Sequence, residues 1–271
     1  MNKILSDSLF HVDINRFNKI RDEAKSFNTL NNGSNIIQDD IFNVIKNYGR
    51  RAEQPIEILR YPIKDKDFCA CTFLRKGVLF IVCNTFLPLS KQIFAAAHEL
   101  YHIIKYVNGD DDNYVSHGSI LKSKDIDETE VAAEDREANA FAGLFLAPTN
   151  FLNEQIDIYS IKAPKLQVKD ILRLMDIFAI PYKAMVLRLY EEKLIDEVKA
   201  DELLSVENSE IDKVVELTGV AARWQKVDLT IIDFGSLMEY LSINEKYGFA
   251  TESRLDNDKK TLESLIAEIK K

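Results

Sequence analysis

Residues 94–106 read FAAAHELYHIIKY, and this run constrains the chain more than any other. A helix so apolar has to be buried, yet it carries His98, Glu99 and His102. Ile93, Ala97, Leu100, Ile104 and Val107 recur at three- and four-residue spacing, which predicts a helix over about residues 90–107 with that face toward a core. Ser90, shortly after Pro88, is the expected N-cap. The two histidines are four apart, so they differ by roughly 40° about the helix axis and stand one turn above the other, where two imidazoles can converge on one ion. With Glu99 they form H-E-x-x-H, a pattern in which the histidines hold zinc and the glutamate takes a proton from the attacking water. Two hydrogen-bonded core histidines are the alternative, and the completeness of the pattern favours metal.

Catalytic zinc takes a third protein ligand and leaves a fourth position open. The remaining histidines are His11 and His117, and Lys105 and Asn108 stand where the longer metzincin continuation has glycine and histidine. A carboxylate on a second helix is the other solution. The run DETEVAAEDREANAFAGLFLAP, ending at Pro148, predicts a helix over about 127–146. Glu130, Glu134, Glu137 and Phe141 share one stripe of it beside an apolar face of Ala138, Ala142 and Phe145, so one of these acids can point inward.

The chain has 271 residues, 46% of them hydrophobic, enough for a sizeable core. Its net charge of −9 gives no basic footprint for phosphates, which argues against direct nucleic-acid binding. Three cysteines, Cys69, Cys71 and Cys83, sit in apolar strand-like runs and read as buried thiols. No apolar run is long enough for a bilayer and the first residues do not form a signal peptide, so a cytoplasmic location is expected. Helices are expected at 13–28 and 39–50, strands at 56–63, 67–74 and 78–84 with a turn at Arg75-Lys76-Gly77, a loop over 108–126, and helices at 166–178 and 182–193. The expected fold class is α+β: a mostly helical zincin-like domain with a small antiparallel sheet over 1–198, including a helix-turn-helix-like hairpin at 166–195, then a helical region of unassigned role over 199–271.

Asn84 at a strand end, FAAAHELYH, EDREANAFAGLFLAP and FAIPYKAMVLRLYEEKLI together resemble the ImmA/IrrE family of metallo-endopeptidases over about residues 35–196. The resemblance implies His98 and His102 as zinc ligands, Glu99 as general base and Glu137, directly before Ala138-Asn139, as third ligand, with Glu134 as fallback. It also implies a protein substrate, a helix-turn-helix repressor or antitoxin encoded nearby, in a mobile element or stress circuit. The stretch from 103 to 129 is longer than the family's usual link, and Tyr101 stands where glycine is common. Strand 78–84, read as an edge, would align an extended substrate. Tyr101, Tyr106, Tyr114 and His117 are the candidate oxyanion donors. The competing class is a DNA-binding or partner-binding regulator with a non-catalytic metal site, in which helix 182–193 would present Lys183 and Arg188 but also Glu191 and Glu192.

Overall fold

The structure, a computed structural model, describes residues 2–31, 36–110, 119–122, 133–161 and 165–270. Three N-terminal helices, α1 (Lys3–Ser6), α2 (Leu9–Val12) and α3 (Ile14–Asn31), precede α4 (Ile41–Arg51). Strands β1 (Ile56–Tyr61), β2 (Phe68–Arg75) and β3 (Val78–Asn84) lead into α5 (Leu89–Val107), and β4 (Ser119–Lys122) precedes α6 (Ala133–Leu146). Then come α7 (Thr149–Ile158), α8 (Val168–Phe178), α9 (Tyr182–Glu191), α10 (Glu197–Leu204), α11 (Asn208–Thr218), α12 (Ala222–Gln225), α13 (Leu237–Tyr247) and α14 (Glu252–Ile269).

The architecture is α+β, with one correction to the sheet: it is mixed. Its order is β1-β3-β2-β4, with β1 parallel to β3 and the other pairs antiparallel. Strand β3, VLFIVCN, is apolar almost throughout and takes the centre, where both of its faces are covered. It is therefore not an edge. The turn joining it to β2 has Lys76 and Gly77 both at positive φ, 51° and 77°, the conformation of a two-residue hairpin. Within the stretch expected as a loop, β4 adds a fourth strand on β2, with Thr72 opposite Ser119 and Cys71 opposite Ile120.

At the end of β3 the Asn84 side chain is fully buried and makes four hydrogen bonds. Its Oδ1 accepts from the N–H groups of Ile63 and Phe86 at 2.8 and 2.9 Å, and its Nδ2 donates to the carbonyls of Asp65 and Phe68 at 2.8 and 2.9 Å. One amide thus ties the end of β1, the start of β2 and the entry to α5. Pro88, not Ser90, caps α5, and Ser90 is buried in the first turn.

Helix α5 packs on β2 and β3 on one side and on α6 on the other, while α3 lies along α6. Every residue from Gln92 to Ile103 is buried, so the helix has no solvent face over three turns. The pair α8–α9 turns at Ala179, left-handed at φ 56°, with Pro181 starting α9. Arg188 of α9 is buried, donating to Glu191 and Glu192 at 2.7 Å each, and Gly143 of α6 makes room for it: a Cβ there would stand 2.9 Å from its Cδ.

Beyond α12 the chain runs along the outer edge of β1. Arg60 and Asp233 exchange two backbone hydrogen bonds of 2.7 Å, and Ser236 N–H donates to Glu57 at 2.8 Å. Trp224 is buried and its Nε1 donates to the Asp176 carbonyl at 3.0 Å. Among the described residues no helix is long and apolar enough to cross a membrane.

Candidate metal centre

His98 and His102, on consecutive turns of α5, are buried, and their Nε2 atoms lie 3.2 Å apart. Asp135 on α6 places its Oδ1 3.4 Å from the first and 3.5 Å from the second. Among the described residues these three form the one group of metal-ligating side chains close enough to share an ion. Donors of a single tetrahedral zinc with bonds of about 2.0–2.1 Å stand roughly 3.3 Å apart, so all three separations suit that ion. The electrostatics agree in sign. Burial pulls His98 down, but the Asp135 and Glu99 carboxylates outweigh it and hold the imidazole above its ordinary pKa, so the site favours positive charge.

Asn139, one turn beyond Asp135 on α6, places its Oδ1 2.9 Å from His98 Nδ1. An amide oxygen only accepts, so Nδ1 carries the proton and the Nε2 lone pair points at the cluster. The same helix thus supplies both a carboxylate and the group that fixes the neighbouring imidazole.

Glu99 is fully buried, and neither carboxylate oxygen has a hydrogen-bond partner within the protein. Thr72 of β2 is beside it, its hydroxyl also without a well-formed bond. Burial pushes the Glu99 carboxyl up to about 7, against the pull of His98. Two buried acceptors without a hydrogen-bond partner in the protein thus stand beside the three donor atoms. Cys69 and Cys83 are buried and Cys71 is half-buried, and burial raises Cys71 to about 11 and Cys83 to about 12, which disfavours their thiolates.

The geometry does not bring Glu137 to the imidazoles. Its carboxylate takes a bidentate pair from Arg16 of α3, Nε to Oε1 and Nη2 to Oε2, both at 2.6 Å, and a hydrogen bond from the Tyr101 hydroxyl at 2.5 Å. Asp135 and Glu137 are two residues apart and so roughly 200° apart about the helix axis; when one faces the ion the other faces away. Glu134 is exposed, and Glu130 lies outside the described residues, as do Tyr114 and His117. His11 is exposed on α2. Tyr101 is committed to Glu137, and Tyr106 is half-buried. The residue that sequence reasoning missed, Asp135, stands three and seven positions before Ala138 and Ala142, both fully buried. That stripe of small residues was the available signal for the face nearest α5.

Residues 51–190 match the family model Peptidase_M78, described as the IrrE N-terminal-like domain. No curated protein matches the chain.

Proposed function

The chain belongs to the M78 metallopeptidase family, and on that premise we propose that it is a zinc-dependent endopeptidase acting on a regulatory protein, with His98, His102 and Asp135 as ligands and Glu99 as general base. The observation that supports this most is the convergence of three donor atoms within 3.5 Å of one another beside a buried, unpartnered carboxylate. Zinc held there would polarise the scissile carbonyl and acidify the attacking water. Glu99 takes that water's proton and passes it to the leaving amine nitrogen; a buried carboxylate without a protein partner beside the ligand cluster is placed for both transfers. Asn139 keeps His98 in the tautomer whose Nε2 is a donor to metal.

Among the described residues, the outer side of β4 is the sheet edge on which an extended substrate would add beside this machinery. Strand β3 is interior and the edge of β1 is occupied by the segment around Asp233, whereas among the described residues no strand pairs with the outer side of β4. Ser119 of β4 is opposite Thr72, the neighbour of Glu99, so a peptide added there would run close to the base. The resemblance to ImmA/IrrE proteins supports a helix-turn-helix repressor or antitoxin as that peptide's source. A DNA-reading role for α9 has less support, since Arg188, its best contact to a phosphate or base, is buried in two ion pairs.

The test is elemental analysis followed by incubation of the zinc-loaded protein with the regulator encoded next to it, with fragments read by mass spectrometry. One zinc per chain and a discrete cut are expected. Asp135→Ala is expected to lose stoichiometric zinc, as are His98→Ala and His102→Ala, while Glu137→Ala still binds one equivalent. Full zinc in Asp135→Ala, or an uncut regulator with zinc present, would overturn the assignment of ligand or of substrate respectively.

A further inference from the structure

The family match begins at residue 51, so α1 to α3 lie outside it, yet α3 packs along the metal centre's supporting helix, with Phe27 on Phe141 and Phe145 and with Arg16 as its charged contact to Glu137. Arg16 grips Glu137 through two bonds of 2.6 Å, and its Nη2 also donates to the Tyr101 hydroxyl at 3.2 Å. Tyr101 in turn donates to Glu137 at 2.5 Å. Three helices meet in these three side chains: α3 gives Arg16, α5 gives Tyr101 and α6 gives Glu137. The cluster is walled by Phe141, whose ring centroid is 5.3 Å from that of Tyr101, and by Lys105, 5.3 Å above the Tyr101 ring. Glu23 of α3 binds both Arg16, at 3.6 Å, and Lys105, at 3.2 Å.

Two of the three members are a short step along the chain from a proposed ligand. Tyr101 immediately precedes His102, and Glu137 follows Asp135 by two residues on the opposite side of α6. A helix held on its far side by a bidentate guanidinium cannot rotate, because the planar fork fixes direction as well as distance. We propose that Arg16 is a positioning residue for the metal centre: by clamping Glu137 and Tyr101 it sets the rotation of α6 against α5, and thereby holds Asp135 and Asn139 on the two imidazoles. The N-terminal helices then complete a site whose ligands all lie elsewhere. This rests on Asp135 being the third ligand.

The experiment uses the full chain with cobalt(II) replacing zinc, so that affinity and coordination geometry are read without any turnover. Wild type is expected to show the visible band of a tetrahedral cobalt site, and Arg16→Ala to bind cobalt about tenfold more weakly, the usual size of an effect transmitted through a ligand's support, with an altered band. Arg16→Lys, a point charge without the fork, is expected to fall between the two. A role in stability alone would lower the melting temperature of the metal-free protein and leave affinity and spectrum unchanged well below it; that result overturns the proposal. Should Arg16→Ala fail to fold, Tyr101→Phe removes one hydroxyl from the cluster and is expected to weaken binding in the same direction, and unchanged binding in it is equally fatal. If wild-type protein itself binds no cobalt, or Asp135→Ala binds as well as wild type, the ligand assignment has failed and not the clamp.

Discussion

At the scale of single residues the chemistry turns on which carboxylate is left without a partner. Glu137 is saturated by Arg16 and Tyr101, and against the upward push of burial they hold it below the usual carboxylate range. Glu99 has no partner and is raised to about 7. A base must be free to accept, which supports Glu99 over Glu137 in the proposed mechanism. Glu99→Gln keeps the shape but not the basicity, and is expected to bind zinc at full stoichiometry while turnover falls by about 10²–10⁴-fold; turnover within a few fold of wild type in the zinc-loaded variant would remove Glu99 from the mechanism. The proposed roles of His98, Glu99 and His102 were legible because they depend on spacing along one helix, which a sequence records directly. Asp135, the proposed third ligand, was not, because which acid of α6 faces the imidazoles depends on how that helix is rotated, and the partner that draws Glu137 away, Arg16, stands 121 residues from it.

At the scale of elements, the helices and strands around the site follow from periodicity and turn chemistry, while their neighbours do not. The hairpin at Lys76-Gly77 and the extent of α5 could be read locally, but not the insertion of β3 between β1 and β2, since pairing is a tertiary choice that the apolar run of β3 wins by burial on both faces. The short β4 and the helix α7 carried too weak a pattern to be seen at all. Asn84 is the element-level joint that the sequence marked without explaining. Asn84→Ala leaves two N–H groups and two carbonyls without partners in a buried turn, and is expected to cost about 3 kcal/mol, measurable by denaturant titration; a loss below about 0.5 kcal/mol would mean that water replaces the amide. The Arg16–Glu137 pair that joins α3 to α6 gives a pH signature. Glu137 is depressed in the fold, so its contribution is present above the unfolded carboxylate pKa and disappears as pH falls through the folded value. The stability gap between wild type and Glu137→Gln should therefore be open at neutral pH and close on acidification below about 4; a gap constant from pH 7 to 3 would show that the ion pair contributes nothing.

Across the whole molecule, one hydrophobic core runs from Leu5 to Trp224 and includes Ile211, Val215 and Ala221, so packing does not break at residue 198. The pair α13–α14 buries only Leu241, Leu255 and Leu262, and none of the three belongs to that core. We propose that the physical division of the chain falls after the segment that closes the edge of β1, near residue 236, leaving the metal centre at the heart of the larger unit. That position has a consequence for time and not only for affinity. With His98 at 0% and His102 at 2% exposure, an ion held between them would be walled in on the imidazole side, and the way in is past Asp135, whose side chain is 22% exposed. A substrate carbonyl and a chelator would have to use that same approach. Removal of zinc should accordingly quicken in proportion to chelator, and a peptide bound at the site should slow it; a limiting rate that more chelator does not increase would show that α5 and α6 must part first. Exchange of the ion and entry of the substrate would then be one property, so that anything covering the site would protect the metal and silence the hydrolysis together.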